Sequence, residues 1–218
     1  MRSDLLLACI SGPLLAVFLL KGKARRLLAA VFGGMLIAFF AGAISGFLAE
    51  LVRYDAMAAV LYISPAVEEG LKLILFLLFL FVCQLEDAAL PDVAVGIGVG
   101  FAMMESIALQ YTAGDIGAIA LFARAFCSAL IHVACALMLI LAVRMVRRMA
   151  LETLSGILGI YAVTVTVHAL YNLLISAGGA GEILSYCLPA VLIAGWKLWP
   201  VIGKDDARLG TCERRTNR

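Results

Sequence analysis

The stretch SPAVEEGLKLILFLLFLFV, Ser64 to Val82, is one apolar run with Glu68, Glu69 and Lys72 in its first turns. A carboxylate at membrane depth costs several kcal/mol unless something pairs with it or wets it. Four more ionisable residues interrupt similar runs: Glu105, Arg124, His132 and His168, the last with Asn172 one turn further on. Adjacent carboxylates in a low dielectric cannot both ionise cheaply, but a nearby cation such as Lys72 lets one stay charged while the other holds a proton. That separates a base from an acid, as hydrolysis requires. A glutamate can activate a water, an imidazole can hold that water or protonate a leaving amine, and His168 with Asn172 can point donors at a developing oxyanion. Ser128, between Arg124 and His132, has no context that would make it a nucleophile, and HExxH is absent.

These residues sit in a chain of 218 residues that is 64% apolar, with a mean hydropathy of +1.07. Soluble domains are about 45–50% apolar, so the composition indicates an integral membrane protein. Apolar runs near 4–20, 27–50, 62–84, 93–111, 117–143, 151–175 and 183–201 can each span about 30 Å of hydrocarbon. Backbone polar groups in lipid must be satisfied within the segment, so each run is predicted as a helix. The expected fold is an all-α polytopic transmembrane bundle of about seven spans. It divides into one catalytic domain, 1–203, and a basic tail, 204–218.

Lys21, Lys23, Arg25 and Arg26, then Arg144, Arg147 and Arg148, then the tail all fall on one side of such a bundle. Basic loops face the cytoplasm, which puts the C-terminus there and the N-terminus outside a cell membrane. The short acidic loop Glu86–Asp92 falls on the same side. LLAC at Leu6–Cys9 looks like a lipoprotein box, but too little apolar sequence precedes it, so 4–20 reads as a retained helix. The six cysteines form no CxxC and read as small hydrophobes. Gly42–Gly46 and Gly96–Gly100 fit the small-xxx-small spacing of closely packed helices. Tyr186, Trp196 and Trp199 look like interface anchors.

Helical spacing gives each run a polar stripe. Glu68 and Lys72 are i,i+4, as are Phe101 and Glu105, and His168 and Asn172; Arg124, Ser128 and His132 descend one face in the same steps. Counted from the span ends, most of these groups share one layer in the outer half of the bilayer. A buried Glu–Lys pair also serves as ordinary helix glue, a lone histidine as a packing residue, and Arg124 as a neutraliser of the glutamates. Their alignment on four helices argues for a site.

EEGLK (Glu68–Lys72) resembles the EExxK motif of PrsW-type intramembrane proteases, relatives of the type II CAAX prenyl endopeptidases and bacteriocin-processing proteins. FAMME (Phe101–Glu105) resembles their second motif, ARAFCSALIH (Ala123–His132) their Arg-and-His segment, and HALYN (His168–Asn172) their closing HxxxN. The resemblance covers roughly residues 60–175. It departs at SIAL after Glu105, where Asn is expected. It implies that Glu68 and Glu105 activate water, that Glu69 and Lys72 tune them, that His168 and Asn172 stabilise the oxyanion, and that His132 assists; no cofactor is required. The implied partners are a membrane-anchored protein substrate, such as an anti-sigma factor, and the bilayer, with no nucleic acid.

Two other readings use the same residues. In a metalloprotease, Glu69, Glu105, His132 and His168 would supply ligands to zinc. In a transporter, the carboxylates would relay protons or coordinate cations. The absence of evident repeats and the clustering at one depth argue against the second.

Overall fold

A computed structural model describes residues 3–113, 117–148 and 153–197. The described residues of the apolar runs are helical apart from the run ends Leu20, Cys83, Gln84 and Gly117. α1 is Ser3–Leu19 and α2 is Gly22–Val52; a three-residue α3, Ala56–Ala58, leads through a π-helical segment, Ala59–Ile63, into α4, Ser64–Val82. A 3-10 turn at Asp87–Ala89 precedes α5, Leu90–Ala113, followed by α6, Ala118–Arg148, and α7, Thr153–Ala177. A last helix, α8, covers 180–197.

Among the described residues, four stretches are long and apolar enough to cross a membrane: Gly22–Val52, Asp87–Gln110, Ala118–Val146 and Leu154–Ala177. α4 is 19 residues long, about 28 Å at 1.5 Å per residue, and differs from them in its three charges. Phe18, Phe47, Phe81, Ile119 and Phe122 all point outward, as lipid-facing side chains of a membrane bundle do.

Two local features depart from the expected loops. Residues 51–61 turn at once: Arg53 closes α2 in the left-handed region, and Asp55 Oδ1 accepts from the Ala58 N–H at 2.7 Å as an N-cap. The chain is then helical through Pro65. Proline has no N–H and its ring crowds the carbonyl four residues back; the π-helical segment, whose hydrogen bonds span five residues in place of four, lies just ahead of it. The acidic loop places Asp92 in the first turn of α5, where the helix dipole favours a carboxylate.

α2 packs along α5, α5 along α6, and α6 along α7, while α4 touches α2, α6 and α7. The buried stripe of α4 is Pro65, Glu69, Lys72, Leu75, Phe76, Phe79 and Leu80. Its second half joins Ile97 of α5 and Leu139 and Ile140 of α6 in the main apolar core, against which Ile193 and Trp196 of α8 pack. Its first half brings the charges. A smaller cluster of Ile131, Cys135 and Tyr171 is covered by Leu188 and Leu192 of α8. Cys83, Cys127, Cys135 and Cys187 are free thiols; Trp199 and the basic tail lie outside the described residues.

The two glycine pairs behave differently. A Cβ on Gly100 would run into the Val31 carbonyl of α2, and one on Gly96 would lie 2.8 Å from the Ala30 Cβ. Gly34 of α2 meets the Ile97 carbonyl in the same way. Gly42 and Gly46 face open space, so this second pair does not pack a helix against α2 as its spacing suggests. Gly100→Ala is therefore expected to destabilise the protein by about 1–3 kcal/mol through overpacking. Gly46→Ala should leave stability unchanged or slightly raised. Thermal melts of the two variants in detergent check the contrast.

Candidate active site

The first charged residue of the buried stripe, Glu69, has no exposed surface, and neither has Lys72. They lie one turn apart, and Lys72 Nζ is 2.6 Å from Glu69 Oε1. A buried pair of this kind needs every remaining donor satisfied, because desolvation otherwise outweighs the attraction. Two other helices do this. His168 of α7 places Nδ1 2.7 Å from the same Glu69 Oε1, and His132 of α6 places Nδ1 2.8 Å from Lys72 Nζ. Phe101 of α5 lies under the ammonium, its ring centre 4.5 Å from Nζ, and packs at 4.6 Å against His132 with the rings tilted by 39°. The two imidazoles meet edge to face at 5.0 Å.

The chain of contacts continues to α5. His132 Nε2 is 2.7 Å from Glu105 Oε2, and the Ser128 hydroxyl donates to that same oxygen at 2.6 Å. Glu105 Oε1 has no protein partner among the described residues, and the Glu105 side chain is 46% exposed. Glu68 turns to the other side of α4: its Oε2 is enclosed without a hydrogen-bond partner and lies 3.7 Å from His168 Nε2.

Two cavities meet at Glu105. One, about 290 Å3, is lined by Glu105, Arg124, Ser128, His132, His168 and Asn172, among others. The other, about 400 Å3, lies between Glu68, Glu105, Met104 and the small residues Ala38, Ala41 and Gly42 of α2. Six of the eight residues singled out from the sequence are thus joined to at least one other by a contact within 4 Å. The remaining two stand differently. Asn172 lines the first cavity, with Nδ2 donating to the Val60 carbonyl of the π-helical segment at 3.1 Å. Arg124 lines it too but, among the described residues, makes no ion pair with a glutamate.

Sequence reasoning missed Tyr161 and Tyr171 and gave Ser128 no role. Ser128 holds Glu105, Tyr161 ties α7 to α4 by donating to the Ala66 carbonyl at 2.7 Å, and Tyr171 lines the first cavity. Ser128 sits one turn from His132 on the expected face, so its position was visible and its partner was not.

A family model described as PrsW family intramembrane metalloprotease matches residues 22–196. The chain belongs to this family. It is accordingly an intramembrane protease, a membrane protein acting on membrane protein substrates. The match takes in α2 to α7 and almost all of α8, and so every residue of the site. No curated protein and no solved structure gives a match.

The family description names a metal, so the donors of this PrsW-family chain can be tested against one. Two groups of side chains converge closely enough: Glu68, His132 and His168, and Glu69, Cys135 and His168. The zinc set expected from the sequence, Glu69 with Glu105, His132 and His168, is neither of these. A metal-ligating histidine normally donates its second N–H to a carboxylate or carbonyl. His168 meets that condition, with Nδ1 on Glu69 and Nε2 turned toward Glu68. His132 does not, since its Nδ1 faces an ammonium, which can only donate. In the second group, Glu69 Oε1 is already bonded to Lys72 and His168 and the Cys135 thiol donates to the Thr164 carbonyl at 4.0 Å, which leaves the enclosed Glu69 Oε2 as the one open donor of that carboxylate. As arranged, neither group fits a metal.

Removing one member of the buried pair strands the other. Lys72→Met is expected to destabilise the fold by about 3–5 kcal/mol. The double variant Glu69→Gln/Lys72→Met should recover a substantial part of that. Chemical denaturation of the three proteins in micelles provides the comparison.

Proposed function

We propose that the chain hydrolyses peptide bonds of membrane-anchored proteins with a water activated by glutamate. The observation that carries this reading is the state of Glu105. Two donors grip one of its carboxylate oxygens, and the other has no protein partner at the junction of two cavities. A general base needs that combination of fixed orientation and a reachable oxygen.

In this scheme a water between Glu105 and Glu68 loses its proton to Glu105 and its oxygen attacks the scissile carbonyl. The tetrahedral oxyanion is met by His168 and by the second N–H of Asn172. The carboxyl then returns the proton to the leaving amide nitrogen as the C–N bond breaks. His168 Nδ1 is turned to Glu69, so donation from Nε2 requires a doubly protonated ring, with Glu69 and Glu68 as its counter-ions. Glu69 and Lys72 hold the network and touch no substrate. Arg124, exposed at the cavity wall, would meet the substrate and not the glutamates.

The donor mismatch at His132 favours this glutamic scheme over a metal-dependent one. The basic loops support seven spans with the N-terminus outside and the C-terminus cytoplasmic in a cell membrane. The substrate class includes the anti-sigma factors that the motif resemblance implies.

Glu68→Gln, Glu105→Gln and His168→Ala are each expected to abolish cleavage of a co-expressed single-span substrate, with the protein still accumulating in the membrane. Comparative membrane proteomics of wild type and Glu68→Gln would find that substrate as a shortened single-span protein. Normal cleavage by all three variants would end the reading. On the metal question, the purified protein should carry far less than one zinc per chain and keep cleaving in a chelator. Stoichiometric zinc, with loss of cleavage on its removal, would decide for the metalloenzyme.

A further inference from the structure

We propose that Lys72 is a positioning residue that sets the tautomer of His132 and, through it, the hydrogen bond that orients Glu105. The inference rests on the glutamate-activated reading, in which Glu105 is the base. It starts from donor arithmetic. An ammonium has three donors and no acceptor, while a neutral imidazole has one of each. Lys72 Nζ lies 2.8 Å from His132 Nδ1, so Nδ1 is the lone-pair nitrogen and the ring proton sits on Nε2. Nε2 then donates to Glu105 Oε2 at 2.7 Å. Donation runs one way, from Lys72 to His132 to Glu105.

The surroundings leave His132 little alternative. α4 presents the ammonium to it and a Glu68 carboxylate oxygen within 4.8 Å of a ring nitrogen, α5 the Glu105 carboxylate and the Phe101 ring, and α7 the edge of His168. With the other tautomer, an N–H would face an ammonium and a lone pair would face a carboxylate, so both contacts would turn repulsive. Glu105 would keep Ser128 alone, and its free oxygen would no longer be aimed. His168 differs at that nitrogen, because its Nδ1 faces Glu69 Oε1 and must carry a proton. The two rings thus differ at Nδ1, bare in His132 and protonated in His168. A lysine in the EExxK motif is thereby given a task beyond neutralising its glutamates.

The chain has two histidines, so protein labelled with 15N-histidine in micelles shows four ring nitrogens, and His168→Gln assigns them. Two-bond proton–nitrogen correlations of the full-length wild type should show His132 with bare Nδ1 and protonated Nε2. Lys72→Met takes the cation away from Nδ1 while Glu105 still holds Nε2–H, so it should shift His132 toward the doubly protonated ring. It should also lower kcat about a hundredfold with KM little changed. Lys72→Arg, which also only donates, should keep the wild-type tautomer and part of the activity. If Lys72→Met does not fold, the wild-type and Lys72→Arg spectra decide.

Nδ1–H in the wild type, or a His132 spectrum indifferent to Lys72→Met, overturns the proposal. The spectra need no substrate, so they separate the two claims. The expected tautomers without glutamate-dependent cleavage would sink the catalytic reading alone. The wrong tautomer with cleavage that Glu105→Gln abolishes would sink this one alone.

Discussion

The contact between the Lys72 ammonium and the Glu69 carboxylate organises the bundle around it. Both charges are wholly buried on one turn of α4. Either alone would be severely destabilising there, and even the pair gains little until its other donors and acceptors are met. The groups that meet them come from α5, α6 and α7, so α4 can sit in only one rotation and at one depth among its neighbours. Below the pair, the same stripe of α4 is Leu75, Phe76, Phe79 and Leu80 in the apolar core. One half of the helix is placed by shape and hydrophobic contact, the other half by hydrogen-bond satisfaction.

α5 must deliver Phe101 and Glu105 to that pair from the other side, and glycine makes this possible. Gly96 and Gly100 let the backbone of α2 approach closely on one face, and Gly98 does the same for α6, where a Cβ would lie 2.7 Å from Val133 N. α5 is thus clamped between two helices immediately before its candidate site residues. Phe101 follows Gly100 directly and Glu105 is one turn further. The precision of the site comes from rigid helix contacts, not from loops.

Much of this was legible in the sequence because the bilayer removes choices. A backbone that must bond internally has to be helical, and so hydropathy alone located the helices to within a few residues. The polar stripes were legible because i,i+4 spacing is a property of the helix itself: Glu68 with Lys72, Phe101 with Glu105, and Ser128 with His132. Partnerships between helices were not. Nothing in the spacing says that Ser128 reaches Glu105, that Tyr161 braces α4, or that Arg124 stands apart from the glutamates. The two glycine pairs have the same spacing, and only the position of α5 decides that one is packed and the other open. The zinc set differs from the groups that converge for a related reason. Ligand types can be counted in a sequence, but whether a ring nitrogen faces a carboxylate or an ammonium depends on where another helix puts its side chain.

Two neighbouring glutamates make that dependence concrete. Glu68 and Glu69 have the same chemistry and are about 100° apart around α4. Glu69 points into the bundle, where one oxygen is held by Lys72 and His168 and the other is enclosed. It cannot reach a substrate without breaking the ion pair that places the helix. Glu68 points to the cavity beside α2, unbonded and close to His168. A tandem of identical residues is therefore split by helix geometry into one that builds the site and one free to act in it. On the proposed reading this is why the motif needs both: Glu68 is free to hold the water beside Glu105 only because its neighbour has given up its own freedom.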